Sequence, residues 1–184
     1  ETGMGGREDS TKLVPWPTAT VITPIGLDHQ DVLGVTISEI AAHKAGIMKR
    51  HSPAIIARQA PEAMAVIEAQ AAQVGAPLYR AGVEWDAYTS HGRLVVQTES
   101  RVLDLPLPGL HGQHQIDNAG LACVTFLAPG PFTFDDTVFS AGVENAQWPG
   151  RLQPLTRGAF SAPVRAAGGE VWIDSGHNAH AAQA

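Results

Sequence analysis

The sequence predicts an α/β fold: a mostly parallel sheet covered by helices, with an antiparallel hairpin beside it. Three observations carry this. Short β-branched, apolar runs near residues 18–25, 54–57 and 77–79 are separated by segments of helical periodicity. Apolar and polar residues alternate between Trp85 and Leu107 on either side of Ser90-His91-Gly92. Glycine or proline punctuates most of these segments.

In chain order, Thr18 to Ile25 reads as a short buried strand closed by Gly26. Thr36 or Ser38 can cap a helix running through Ile40, Ala41, Lys44 and Ala45 to about Met48. Ala54-Ile55-Ile56-Ala57 is the next strand. Pro61 then opens a helix whose Ala63, Val66, Ile67 and Val74 share one face, and Gly75 ends it. Pro77-Leu78-Tyr79 starts a third strand, and the β-α-β-α-β alternation implies parallel pairing. The hairpin follows, terminated by Pro106, Pro108 and Gly109. A helix is expected from about Gln115 to Leu127, then a break at Pro129-Gly130-Pro131, then a helix capped by Thr133 from Asp135 to about Ala146. Trp148-Pro149-Gly150-Arg151 reads as a boundary, and the stretch to Gly169 as a linker. Val171-Trp172-Ile173-Asp174 is one more strand, leading through Ser175-Gly176-His177-Asn178 toward a helix start at 181–184. Such a turn between strand and helix is where α/β folds place ligand groups.

Composition narrows the function classes. Twelve basic against eighteen acidic residues give a net charge of −6, which argues against a nucleic-acid footprint. No run approaches the ~20 apolar residues of a membrane-spanning helix. The single cysteine, Cys123, leaves no internal disulfide framework and no thiolate metal cluster, and fits a reducing, cytoplasmic setting. The N-terminus lacks a basic segment followed by an apolar one. The chain opens at Glu1 without methionine and stops in what reads as the first turns of a helix, so a piece of a longer protein is expected.

Several residues could carry chemistry. Glu1 precedes the Gly-rich run Gly3-Met4-Gly5-Gly6, where it could ligate a hard cation beside phosphate oxygens, or simply be solvated. His29 follows Asp28 just past the first strand, as a metal ligand oriented by the aspartate or as a loop histidine with a local bond. Lys44 lies among small residues, where it is either desolvated and open to modification or a surface lysine. His111, His114, His177 and His180 lack the HExxH spacing of zinc hydrolases, and no G-x-S-x-G elbow is present. Asn118, Arg151, Asp174 and His177 form a looser set: Arg151 could neutralise a phosphate, and Asp174 could accept from a ribose hydroxyl or hold a cation.

Taken in order, the segments Glu1-Thr-Gly-Met-Gly-Gly-Arg-Glu-Asp-Ser-Thr11, Ile22-Thr-Pro-Ile-Gly-Leu-Asp-His29 and His43-Lys-Ala-Gly-Ile-Met-Lys49 resemble blocks of the folylpolyglutamate synthase/dihydrofolate synthase family of the Mur ligase superfamily. Leu107-Pro-Gly-Leu-His-Gly-Gln-His-Gln-Ile-Asp-Asn118, Trp148-Pro-Gly-Arg-Leu-Gln153 and Trp172-Ile-Asp-Ser-Gly-His-Asn178 continue the match in family order. The resemblance implies an ATP-dependent ligase that joins L-glutamate to dihydropteroate or tetrahydrofolate through an acyl phosphate, with ATP and Mg2+ bound. It also implies a monomer with no nucleic-acid or membrane partner. Carried over residue by residue, Glu1 and His29 match magnesium ligands, and Lys44 matches the lysine that carries a carbamate. Asn118, Arg151 and Asp174 match ATP contacts with His177 beside them, and Glu8, Asp9 and Ser10 match a stretch lining the pterin site.

On this resemblance residues 1–150 are the latter part of the central ATPase domain, 151–169 the linker, and 170–184 the opening of a Rossmann-like C-terminal domain. The chain departs from the family in places. His43 stands where glutamate usually precedes the modified lysine, Ser10 and Lys12 interrupt an Asp-Ala-Thr-Asn block, and Ser175 and Ala179 replace Gly or Pro positions. None of the three lysines occurs in Gly-Lys-Ser/Thr, so the phosphate-cradling loop is not in this sequence and the chain alone is expected to be inactive. The competing readings are another Mur-type ligase acting on a cell-wall precursor and a degenerate, non-catalytic binding domain.

Overall fold

Residues 1–128 and 133–176 are described by a computed structural model. Three short strands, β1 (Thr20–Ile22), β2 (Ala54–Ile56) and β3 (Leu78–Arg80), form the parallel sheet in the order β1-β2-β3, in register from Thr20↔Ala54↔Leu78 to Ile22↔Ile56↔Arg80. The central strand is buried on both faces. Ala54 and Ile56 pack into one core with Ile22, Ile40 and Ile67, while Ile55 and the following Ala57 pack into the other with Leu94, Leu103 and Val124. The first strand is shorter than the apolar run around it. Pro24 has no amide to continue the ladder, and the Gln59 carboxamide takes over, accepting from the Ile25 amide at 3.0 Å and donating to the Thr23 carbonyl at 2.9 Å.

Between β1 and β2 lie α1 (Gln30–Leu33), which the sequence does not announce, and α2 (Ile37–Ala45). Thr36 caps α2 rather than Ser38. Its hydroxyl accepts from the Glu39 amide at 3.2 Å while the Glu39 carboxylate takes the Thr36 amide at 3.0 Å, a reciprocal capping box. Between β2 and β3, α3 (Pro61–Val74) starts with proline in its first turn and ends at Gly75 in the left-handed region. Its buried stripe is Ala63, Ile67 and Ala71, with Val66 and Val74 flanking it.

The alternating stretch forms three antiparallel strands instead of two: β4 (Trp85–Ser90), β5 (Arg93–Thr98) and β6 (Val102–Leu105). His91 and Gly92, both at positive φ, make the first turn. Thr98 closes the second through its amide and hydroxyl on the Arg101 carbonyl, a turn that neither glycine nor proline marks in the sequence. Next, α4 (His114–Leu127) crosses β4 and β5 and also touches β2. It comes closest at Gly120, where a Cβ would sit 2.3 Å from the Ala87 Cβ. The helix α5 (Asp136–Glu144) is capped by Asp135, whose carboxylate takes the Thr137 and Val138 amides, and not by Thr133.

The stretch expected to be linker contains β7 (Gln153–Pro154) and α6 (Ser161–Ala166), and β7 pairs antiparallel with β8 (Trp172–Ile173). The expected break at 129–131 and helix start at 181–184 lie outside the described residues. Among the described residues no helix is long and apolar enough to cross a membrane.

Candidate functional site

The N-terminal Gly-rich segment rests on the end of α2, and its glycines are there for close packing. A Cβ on Gly6 would meet Ile47 Cγ2 at 2.7 Å and the His43 carbonyl at 2.9 Å. One on Gly46 would meet Arg7 Cα and Cβ at 2.7 Å. Arg7 completes the contact, its amide donating to the His43 carbonyl at 2.9 Å and its guanidinium to the Ala42 carbonyl at 3.2 Å. Asp9 folds the segment on itself. One carboxylate oxygen accepts from the Gly3 and Met4 amides, and the other from the Thr11 amide and hydroxyl. These donors, Thr11 foremost, hold the Asp9 carboxyl down at about 2. Residues Ser10–Leu13 then make one 3-10 turn, with Glu8 and Ser10 exposed.

This docking sets Glu1 and Lys44 on one cavity of about 540 Å³, walled by Ala19 to Thr23 of the β1 segment and by Thr11, Ile47 and Lys49. Lys44 occupies the last turn of α2 and is partly buried. Lys49 also donates to the Lys12 carbonyl at 2.6 Å, tying the 3-10 turn to the loop after α2.

A second cavity, of about 580 Å³, shares Glu1, Val21 and Thr23 with the first. Its other walls are α4, through Gln115, Asn118, Ala122 and Phe126, and the boundary segment, through Trp148 and Arg151. Thr23 follows the carboxyl end of β1, the end at which open parallel sheets bind ligands. Asn118 is held by the buried Gln115, whose carboxamide oxygen accepts from it at 3.1 Å while its nitrogen lies 2.9 Å from the His114 ring.

Arg151 and Asp174 are brought together as the sequence suggests, but not as an ion pair. The two Asp174 oxygens take the Leu152 and Gly176 amides, which hold the carboxyl below the usual aspartate range, while Arg151 Nη1 donates to the Ser175 hydroxyl. The Ser175 amide donates to the Gly150 carbonyl at 2.8 Å. The turn is sharp, with Gly150 and Leu152 both at positive φ. The His111 ring meets Trp172 edge-on at 5.1 Å, joining β8 to the loop before α4.

His29 lines neither cavity. It occupies the N-cap position of α1 in a left-handed conformation, without a side-chain capping bond, its ring 3.8 Å from Asp28. His177 lies outside the described residues. Lys49, Gln115 and Trp148 belong to the cavity walls although the sequence does not single them out as site residues. The signal was available for Lys49, one of only three lysines, and for Trp148, an aromatic residue beside the Pro-Gly turn. Among the described residues, no three His, Cys, Asp or Glu side chains converge.

No family model matches the chain. It is 36% identical to the dihydrofolate synthase/folylpolyglutamate synthase of Bacillus subtilis over 186 residues, covering 97% of this chain and 41% of that protein. The enzyme of the same name from Mycobacterium tuberculosis is 38% identical over 200 residues, covering all of this chain and 39% of that one. Among solved structures, Escherichia coli FolC in complex with DHPP and ADP superposes with a TM-score of 0.84 at 33% identity, over 99% of this chain and 40% of that one. A bifunctional folylpolyglutamate synthase/dihydrofolate synthase with Mn, AMPPNP and L-glutamate bound gives 0.81 at 32% identity, again over 40% of its chain. The chain thus spans about 40% of the length of each of these relatives. With sequence and fold agreeing over its whole extent, this chain belongs to the folylpolyglutamate synthase/dihydrofolate synthase family of Mur-type ligases.

Proposed function

We propose that these residues form part of an ATP-dependent ligase that adds L-glutamate to dihydropteroate or tetrahydrofolate. The reading rests chiefly on one observation: Glu1, Asn118 and Arg151 wall a single cavity that shares Glu1, Val21 and Thr23 with the cavity of Lys44. In this reading the nucleotide occupies the Asn118–Arg151 cavity, with Phe126 and Trp148 giving apolar surface to the base and the Arg151 guanidinium facing phosphate charge. Asp174 bears on the nucleotide from beside Arg151. The acceptor carboxylate enters from the Lys44 side, next to the segment of Glu8, Asp9 and Ser10.

A divalent ion suits the donor set. Mg2+ takes one or two carboxylates together with phosphate oxygens and water, and Glu1 is a carboxylate common to both cavities. When bound, such an ion offsets charge on the transferring phosphoryl oxygens. In this reading His29, which lines neither cavity here, would be a further donor to the ion, and Lys44 as a carbamate would add an anionic one. The acceptor carboxylate displaces ADP from the γ-phosphoryl group to give an acyl phosphate. The amine of L-glutamate then attacks the acyl carbon, the C–O bond to phosphate breaks, and the amine proton leaves as the amide forms.

Residues 1–150 are assigned to the central domain, 151–169 to the connection and 170–184 to the glutamate-side domain of a cytoplasmic, monomeric enzyme. The 184-residue chain by itself, with no Gly-Lys-Ser/Thr, is inactive in this reading. The test is ligation by the full gene product that carries these residues, with each acceptor, ATP, Mg2+ and L-glutamate. Product that needs both ATP and glutamate, and that drops at least 100-fold in Lys44→Ala, is expected. A folded protein that ligates neither acceptor, or a Lys44→Ala variant with full activity, would overturn the reading.

A further inference from the structure

The structure gives the Ser175 hydroxyl a specific partner. It accepts from Nη1 of Arg151, whose guanidinium also forms part of the wall of the cavity shared with Glu1 and Asn118. The nearby carboxylate does not compete for the cation. Both Asp174 oxygens already accept backbone amides, and among the described residues Arg151 makes no ion pair. An arginine held by a neutral hydroxyl keeps its full charge and four remaining N–H donors, whereas a carboxylate at the same place would neutralise it.

The holder is itself held. The Ser175 amide donates to the Gly150 carbonyl at 2.8 Å, and the Gly150 amide donates to the Gln153 carboxamide at 3.0 Å. Strand pairing of Gln153 with Ile173 locks the two ends of the turn together. Fixing a long side chain before a ligand arrives removes an ordering cost that binding would otherwise carry.

We propose that Ser175 is a positioning residue for Arg151, pre-ordering its guanidinium on the cavity wall so that an anionic phosphate ligand meets an arginine already in place. The proposal rests on the nucleotide reading of that cavity for its consequence but not for its geometry, so two measurements are made on the full gene product that carries these residues. The first is ligand-free: 15N relaxation of the Arg151 side-chain Nε–Hε in wild type, Ser175→Ala and Ser175→Thr. An ordered group in wild type and in the threonine variant, and a mobile one in Ser175→Ala, is expected. Equal order in all three would overturn the proposal, whatever the cavity binds.

The second is ATP affinity by calorimetry for wild type, Ser175→Ala, Arg151→Ala and the double variant. Loss of one hydrogen bond from the charged guanidinium to a neutral hydroxyl should weaken binding about 2- to 10-fold in Ser175→Ala, and by nothing further once Arg151 is alanine. If Arg151→Ala binds like wild type, or wild type binds no ATP, the nucleotide reading fails and the relaxation result alone decides the positioning role. If Arg151→Ala weakens binding while Ser175→Ala leaves it unchanged or tightens it, the positioning role is overturned and the nucleotide reading stands.

Discussion

Gly46→Ala isolates the packing of the Gly-rich segment on the helix that carries Lys44. Gly46 sits at φ −61° and ψ −12°, an ordinary helical conformation, so alanine adds no backbone strain. Its Cβ, however, would lie 2.7 Å from Arg7 Cα and Cβ and 3.1 Å from the Arg7 nitrogen. Carbon atoms in contact normally stay ~3.5–4.0 Å apart, so one side must retreat by about 1 Å. The helix cannot easily yield: the Thr36–Glu39 box fixes its start, and Ile40, Ala41 and Ala45 are fully buried. The segment therefore yields, and it gives up the two Arg7 bonds to the carbonyls of His43 and Ala42. At a net ~0.5–1.5 kcal/mol each, these sum to about 2 kcal/mol, or roughly a 30-fold rise in local opening. Amide exchange of Arg7 followed by NMR reads this directly, with the Ile55 amide of the central strand reporting global stability. Arg7 protection should fall about 30-fold while Ile55 is nearly unchanged. Arg7 exchange within threefold of wild type would refute the reasoning, because the helix end, and not the segment, would then be the soft partner.

Two further perturbations test other parts of the structure. Gly120→Ala puts a Cβ 2.3 Å from the Ala87 Cβ between α4 and β4. Overpacking should lower global stability by ~1–3 kcal/mol in spite of alanine's better helix propensity. Urea unfolding checks this, with Ala87→Gly in the same chain restoring part of the loss and an unmoved midpoint counting against the close approach. Asp9, held at about 2 by its amide and hydroxyl donors, is depressed on folding, so the unfolded chain binds its proton first as pH falls. Order of the N-terminal segment should be complete above the ordinary aspartate range and fade as pH drops through about 2. Thr11 amide protection measured from pH 5 to pH 2 should follow that course, and Asp9→Asn should remove it; a midpoint near pH 4 would mean the four donors are not engaged in solution.

Much of the fold is legible in the sequence because its cores obey simple periods. The two-faced run Ala54-Ile55-Ile56-Ala57 marks a central strand, and Ala63, Ile67 and Ala71 mark one helical stripe. What escapes is local hydrogen bonding by side chains that no period reveals. Gln59 substitutes for a ladder that Pro24 interrupts, Thr98 closes a turn without glycine, and Asp135 outcompetes Thr133 as a cap because its carboxylate reaches two amides at once. The antiparallel pairing of β7 with β8 is two residues long on each side, too short for any alternation to show.

The candidate site divides in the same way. Blocks in the sequence name Glu1, Lys44, Asn118, Arg151 and Asp174, but only folding shows that Glu1 is common to both cavities. Folding also separates the carboxylates by what they have left to offer. An ionised carboxylate accepts about four hydrogen bonds. Asp9 already accepts from Gly3, Met4 and twice from Thr11, so a ligand could bond to it only by displacing part of the loop. Its bearing on an acceptor molecule then runs through the loop it shapes, whose Thr11 lies on the Lys44 cavity wall. Asp174 accepts one amide on each oxygen and retains capacity for a hydroxyl donor, while Glu1 has no hydrogen bond of this kind among the described residues. Of the three carboxylates, Glu1 is the one whose charge the fold leaves uncommitted, and it is the one that lines both cavities. A cation bridging the two cavities would therefore gain most from Glu1 and least from Asp9, a ranking that depends on hydrogen bonds formed across the fold and not on residue type.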